Sequence, residues 1–544
     1  MRTAMKIFPG LNRGFKSLIP DVYAAWILFF LAAGAIARLA FQAGRPFYGD
    51  EIGTLLFIRE SYQFIFTHFE GWLTMNYFIA LEKLLYNLFS ESSMALLAVP
   101  FLAGLAAIPL TADIARELAG KRVALLAGFL ATTNHYFIYY SVVIRSYSLL
   151  LSFSLGAMLA FLKWRNGQRL FPGICCALCC LGAMLFHPNG IYATGVVCVL
   201  CAFLCVVRGR TFLLRSATSF GLPLALALAL TFLAYLPLQA PMRTFKALWS
   251  APPPTQIDYL PALFTFFFGA WYGILATSIF IGVGLWVAVR HNLHLLYLAA
   301  GIVLPMLFAA FLGVSHYPWA YARLLIVVLP LMLVLVAVGI DKIAGLLPRH
   351  ADLALSLMVV LLALSWLPGL DFYLECHRRL RTAELASNVL QEQGPEDVIL
   401  HFNNTVEQLL PYLPRIRSFS EYVKYGAHES PHKLFFVYSD WLSEARTTQW
   451  QLRTPNATRL FGGIQLVVYD GANKREIAVA LYRDLKDTVG DRIDPVFSRY
   501  YRLILDLQEY LGIHENRDAY VRLYYECYMR TKRVRSMPEQ LLYH

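Results

Sequence analysis

Two adjacent carboxylates, Asp50-Glu51, follow the first long apolar run of this 544-residue chain, in Arg45-Pro46-Phe47-Tyr48-Gly49-Asp50-Glu51. Charge at a membrane boundary persists where it is paired, solvated or used. A carboxylate so placed can act as a general base, taking the proton of a hydroxyl whose oxygen attacks an electrophilic carbon. It serves equally as the acidic first turn of a following helix, complementing the dipole there. Two arginines bear on the choice. Arg145 stands in Tyr139-Tyr140-Ser141-Val142-Val143-Ile144-Arg145-Ser146-Tyr147-Ser148, and Arg323 in Tyr321-Ala322-Arg323-Leu324-Leu325. Both flank apolar runs on the side where topology disfavours positive residues. A guanidinium fork matches phosphate bidentately, so two of them near a carboxylate pair suit a phosphate-bearing ligand. Snorkelling, or an ion pair with Asp50 or Glu51, would use the same arginines without any ligand.

The elements that must hold these residues are membrane helices. Hydrophobic residues make up 58% of the chain and charged ones 15%, against roughly 25% charged in soluble proteins. Mean hydropathy is +0.52. That much apolar surface exceeds what one soluble core can bury, which excludes an ordinary cytosolic enzyme. Apolar runs predict about eleven transmembrane helices, at 22–42, 93–113, 123–142, 146–163, 172–187, 190–207, 219–237, 272–289, 295–313, 322–340 and 353–370. Basic residues before the first span and in alternate loops assign those loops to the cytoplasm. The loops at 43–92, 188–189, 238–271 and 314–321, and everything after 370, then lie outside.

Ala35-Ile36-Ala37 mimics a secretory cleavage site, but the apolar run continues through Leu39, Ala40 and Phe41, which favours an uncleaved anchor. In the first outer loop, apolar residues recur at helical spacing over 55–66 and 77–88 and predict helices in the interface plane. The 238–271 loop, with Pro252-Pro253-Pro254 and Phe266, Phe267, Phe268, Trp271 and Tyr272, reads as an irregular segment with a headgroup aromatic belt. Beyond 370, a helical stretch near 379–393 precedes β-like runs at 398–402, 434–438 and 464–469. The division expected is a membrane domain over 1–370, an extra-membrane α/β domain over 371–474 and a helical tail over 475–544.

The net charge of +12 is spread over loops and tail rather than gathered in one stripe, so nucleic acid is not an expected partner. Seven of the nine cysteines lie in apolar runs and read as small hydrophobes. Cys376 and Cys527 fall outside them and could pair or remain two separate thiols. Neither zinc-ligand spacing nor a glycine-rich phosphate loop is present, so ATP-driven transport has no support.

The order of these motifs resembles the GT-C superfamily. An acidic pair follows span one, then come amphipathic helices, the 139–149 segment, and Tyr321-Ala322-Arg323-Leu324-Leu325 ahead of Leu329-Pro330-Leu331. Within it the chain is similar to the branch of protein O-mannosyltransferases and lipid A aminoarabinose transferases, over roughly residues 20–370. The resemblance implies an inverting glycosyltransferase in a bacterial inner membrane, with its N-terminus cytoplasmic and its C-terminal domain periplasmic. Its partners would be membrane lipids, a polyprenyl-phosphate-linked sugar as donor, and a lipid, glycan or protein as acceptor. Asp50 would be the base with Glu51 in support, Arg145 and Arg323 would hold the donor phosphate, and Tyr48, Tyr147, His187 and Tyr321 would line the cavity. A divalent cation is used by some members and stays open here. The chain departs from related bacterial members in the first outer loop, where Trp72-Leu73-Thr74-Met75-Asn76-Tyr77 replaces a His-Pro-Pro-Leu-Tyr-Tyr type segment. Lys83 nearby reads as a surface charge beside Glu82. A non-catalytic lipid-linked-sugar flippase, or a membrane scaffold whose outer domain binds partners, would share much of this pattern.

Overall fold

The computed structural model describes residues 22–42, 50–67, 75–89, 93–236, 259–290, 293–312, 322–323, 325–347, 349–370, 382–393, 398–401, 417–418, 433–439, 457–461, 464–470 and 498–524, with scattered positions between 475 and 486. The chain divides into two compact units, Met1–Ala43 with Thr54–Phe372, and Gly44–Gly53 with Tyr373–His544.

The first unit is helical. Its elements are α1 (Val22–Gln42), α2 (Asp50–Arg59, of which Thr54 onward belongs to this unit), α3 (Tyr62–Thr67), α4 (Asn76–Phe89), α5 (Ser93–Ala119), α6 (Lys121–Thr133), α7 (His135–Tyr140), α8 (Tyr147–Gly167) and α9 (Leu170–Phe186). They continue with α10 (Gly190–Arg208), α11 (Arg210–Tyr235), α12 (Tyr259–Phe268), α13 (Trp271–Arg290), α14 (Leu296–Leu312), α15 (Leu329–Ala344) and α16 (Ala351–Ser365). Among the described residues, eight helices are long and apolar enough to cross a membrane, and α9 and the described start of α14 are shorter apolar helices. Hydropathy locates them because the bilayer sets the required length.

The expected span at 123–142 is a correction. It breaks at Asn134, whose side-chain oxygen accepts from the backbone N–H groups of Tyr136 and Phe137 at 3.1 and 3.2 Å and starts the separate helix α7. The Asn134 amide also donates to the Phe267 carbonyl at 3.0 Å, so the break is tied to α12. The aromatic belt is corrected with it. Residues 259–268 are helical, and Phe267 and Phe268 are buried against Tyr136 and Trp366. Trp271 and Tyr272, 73% and 42% exposed, do fit lipid-facing positions.

The helix that organises the bundle is α15. Every residue from Leu329 to Ile340 is buried, as expected of a helix apolar on all sides. Small residues let it approach α13 backbone to backbone. A Cβ at Gly339 would lie 2.1 Å from the Phe280 carbonyl oxygen, and one at Gly284 would lie 2.3 Å from that of Leu335. Away from this seam, Arg122 pairs with Asp341 at 2.9 Å, and the Tyr23 hydroxyl donates to Asp113 at 2.9 Å.

The second unit carries α17 (Thr382–Glu392), a five-stranded sheet and α18 (Ser498–Leu511). The strands are β1 (Val398–His401), β2 (Arg417–Ser418), β3 (Lys433–Ser439), β4 (Ala457–Phe461) and β5 (Ile464–Asp470), in the order β2-β1-β3-β5-β4. β1 runs parallel to β2 and β3, whereas β5 runs antiparallel to β3 and β4. The three expected runs are β1, β3 and β5. The two edge strands escape the apolar pattern: β2 is two residues long, and β4, Ala-Thr-Arg-Leu-Phe, is mixed in polarity. Cys376 and Cys527 lie outside the described residues.

The seam between α13 and α15 predicts a contrast between two glycines. Gly339→Ala should lower stability by about 2 kcal/mol through overpacking against backbone. Gly282→Ala, where nothing stands within 4 Å of an added Cβ, should change it by less than about 1 kcal/mol. Thermal unfolding in detergent measures both.

Candidate functional site

Arg145 occupies the turn between α7 and α8, which local polar bonds hold in shape. Ser141 N–H donates to the Phe137 carbonyl at 3.2 Å, Val142 N–H to that of Tyr139 at 3.1 Å, and the Ser148 hydroxyl to that of Tyr140 at 2.7 Å. The Ser146 hydroxyl meets Met75 Sδ at 2.6 Å, which brings the residue before α4 against the turn. A carbon chain and guanidinium with little freedom result, and Arg145 is only 4% exposed.

The Arg145 guanidinium donates through Nη1 to the Thr54 hydroxyl at 3.3 Å. Thr54 lies on α2, the helix that begins at Asp50. Glu51 is buried and stands one helical turn before Thr54, and residues three apart share a helix face. The Asp50 side chain, Tyr48 and Tyr321 lie outside the described residues.

Arg323 comes from the other end of the chain, three residues before the 3₁₀ turn Ile326–Val328 that leads into the buried α15. Its guanidinium carbon sits 5.6 Å from the centre of the Tyr147 ring, within cation–π range. Tyr147 is buried at the start of α8, and its ring centre is 5.4 Å from that of His187. One tyrosine therefore touches both Arg323 and His187.

His187 lies in the turn joining α9 to α10, and its Nδ1 accepts the backbone N–H of Asn189 at 3.1 Å. Burial, and then the positive charges of Arg145 and Arg323, push its pKa down from 6.5 to about 3. The imidazole is thus neutral at physiological pH, and with Nδ1 accepting, Nε2 bears the proton. The group is a hydrogen-bond donor that adds no charge to the two arginines.

Five of the expected site residues are thus described with their side chains, Glu51 among them, and Arg145, Tyr147, His187 and Arg323 form one neighbourhood. Thr54 was not anticipated, because a threonine in an amphipathic segment gives no signal of its own. Arg38 was missed too, although an ionisable residue inside a span is a signal. It is fully buried in α1 and donates to the Gly34 carbonyl at 3.0 Å. The reading of Glu82 and Lys83 as a surface pair is overturned. Lys83 donates to the Ile58 carbonyl at 3.0 Å and lies 5.3 Å from the Tyr62 ring centre, which pins α4 to α2 and α3. Glu82 is fully buried, its pKa pushed up to about 9 by burial, so it is protonated at neutral pH. Among the described residues no group of three or more His, Cys, Asp or Glu could hold a metal ion.

No protein-family model matches the sequence, and no curated protein matches it. Solved structures share its fold. ArnT from Cupriavidus metallidurans in the apo state matches with a TM-score of 0.57 at 15% identity, over 82% of this chain and 98% of that one. ArnT bound to undecaprenyl phosphate matches at 0.52 and 15% identity over the same shares. The archaeal oligosaccharyltransferase AglB from Archaeoglobus fulgidus, in complex with an inhibitory peptide and a dolichol-phosphate, matches at 0.50 and 12% identity, over 78% of this chain and 70% of that one. The chain thus shares its membrane fold with these transferase structures.

The state of His187 predicts a pH effect on stability. Its folded pKa is depressed, so between about 3 and 6.5 only the unfolded chain takes up the proton, and folding weakens as pH falls below 6.5. At pH 5 this amounts to about 2 kcal/mol. His187→Gln should remove that part of the acid loss, seen as a flatter dependence of Tm on pH between 7 and 5.

Proposed function

We propose that this protein is an inverting glycosyltransferase that moves a sugar from a polyprenyl-phosphate-linked donor to an acceptor hydroxyl at the outer face of the membrane. The observation that carries the reading is the meeting of Arg145 and Arg323 around Tyr147 and His187. Arg145 is tied there to the helix that begins with the acidic pair. The fold adds support, since it is shared with structures solved with undecaprenyl phosphate and with dolichol-phosphate.

In this mechanism Asp50 takes the proton of the acceptor hydroxyl as its oxygen attacks the anomeric carbon. The new carbon–oxygen bond forms on the face opposite the phosphate, and the bond from the anomeric carbon to the phosphate oxygen breaks. Configuration therefore inverts. Charge grows on the departing polyprenyl phosphate, where Arg145 and Arg323 stabilise it in a site of low dielectric. His187, neutral, donates a hydrogen bond from Nε2 to a phosphate or sugar oxygen without drawing the phosphate out of reach of the arginines. Glu51 supports the first turn that presents Asp50. Transfer assayed with and without a chelator decides whether a divalent cation shares the phosphate.

Asp50→Asn should lower transfer by about 10³-fold or more while donor binding persists. Arg145→Gln and Arg323→Gln should each lower it by about 10²-fold. The assay is product analysis with purified protein, lipid-linked sugar and acceptor. Full activity in Asp50→Asn would remove Asp50 as the base, and intact lipid-linked sugar crossing the bilayer without cleavage would make the protein a flippase instead.

A further inference from the structure

At the end of the bundle remote from Arg145 and Arg323, a second pair of arginines is built into the fold. Tyr147 and Arg165 lie at opposite ends of α8, about 27 Å apart along its axis. The positive-inside rule assigns this end to the cytoplasm.

Here the end of α8 and the turn after it are fastened to the end of α10 and the start of α11. Gln168, left-handed at φ 48°, donates through Nε2 to the Phe212 carbonyl and the Ser216 hydroxyl, both at 3.0 Å. Trp164 is buried against Phe212 and Phe220, and its Nε1 donates to the Ser219 hydroxyl at 3.0 Å. Arg208 Nη1 donates to the Arg165 carbonyl at 3.0 Å.

Arg165 is 4% exposed, and its guanidinium carbon lies 4.4 Å from the Tyr297 ring centre. Its Nε and Nη1 meet no hydrogen-bond partner, and among the described residues neither Arg165 nor Arg208 forms an ion pair. The local sequence offers none, because no Asp or Glu occurs between Glu117 and Asp258. The fold does supply acids elsewhere, as Arg122 pairs with Asp341. A ring face compensates only part of a buried guanidinium's charge, and leaving the rest unmet is costly.

We propose that Arg165 and Arg208, backed by Tyr297, bind the headgroup phosphate of an anionic phospholipid. No acid meets the pair among the described residues, guanidinium matches phosphate better than other common anions, and the site lies where a headgroup would stand beside apolar helices. Arg208 is exposed and receives the phosphate, while the buried Arg165 fixes its position. The site is independent of the transfer reaction and survives if that reading fails.

The test is thermal unfolding of the full-length protein, delipidated in detergent, with phosphatidylglycerol, phosphatidylcholine or inorganic phosphate added. Phosphatidylglycerol should raise Tm by about 3 °C or more, with the other two near zero. Arg165→Gln with Arg208→Gln should lose most of that shift, whereas Arg290→Gln should keep it. An equal shift with phosphatidylcholine, an equal shift in the double variant, or none with wild type would overturn the proposal. A shift with inorganic phosphate as large as with lipid would overturn the lipid assignment. Should the double variant not fold, native mass spectrometry of the wild type replaces it: retained phosphatidylglycerol that phosphatidylcholine does not displace supports the site, and its loss to phosphatidylcholine refutes it.

Discussion

Arginine keeps its charge at any pH a cell reaches, so a guanidinium inside a helical bundle must be given acceptors, a ring face or an anion. This constraint shapes the region around Arg145. The guanidinium is nearly sealed from solvent and reaches Thr54, a link that ties α2 to the turn before α8. Arg323, from a segment far along the chain, rests on Tyr147 of that same α8. The buried α15 that follows Arg323 gives it a fixed origin. Two positive charges in one neighbourhood repel each other, and His187 shows the cost, its proton expelled by burial and by those charges. The proposed phosphate would stand between its members, an anion whose shape guanidinium fits.

The sequence disclosed some of this and hid the rest for physical reasons. Lipid demands apolar runs of fixed length, so most helices of the membrane unit fall where hydropathy placed them. Hydropathy is blind to caps, however, and Asn134 ends a helix inside an apolar run by offering its own oxygen to the backbone. It is equally blind to direction: Phe267 and Phe268 are aromatic like Trp271, yet they point inward. Arg145, Arg323 and His187 were legible because charge and imidazole near a span are costly and therefore conspicuous. Thr54 was not, since its hydroxyl matters only through its partner. Glu82 and Lys83 were paired on paper because they are neighbours in sequence, whereas adjacent residues on a helix point about 100° apart, one inward and one toward Ile58 and Tyr62.

The same constraint is met differently at the far end of α8. Arg122 finds Asp341, whereas among the described residues Arg165 meets the Tyr297 ring, and Arg208 meets the Phe212 ring and the Arg165 carbonyl. A bundle with phosphate-seeking arginines at both ends of one helix would hold a lipid-borne donor on one side and its resident lipid on the other. Both sites rely on α8, whose buried length leaves little room for independent movement of its ends.

The central claim is that Arg145 and Arg323 together hold a lipid-linked phosphate. Equilibrium binding of undecaprenyl phosphate to the purified protein addresses it without requiring the sugar or the acceptor. The account predicts that replacing both arginines with glutamine weakens binding by about 100-fold or more, some 3 kcal/mol, with the helical content unchanged. Unaltered affinity in that doubly substituted, folded protein would contradict it.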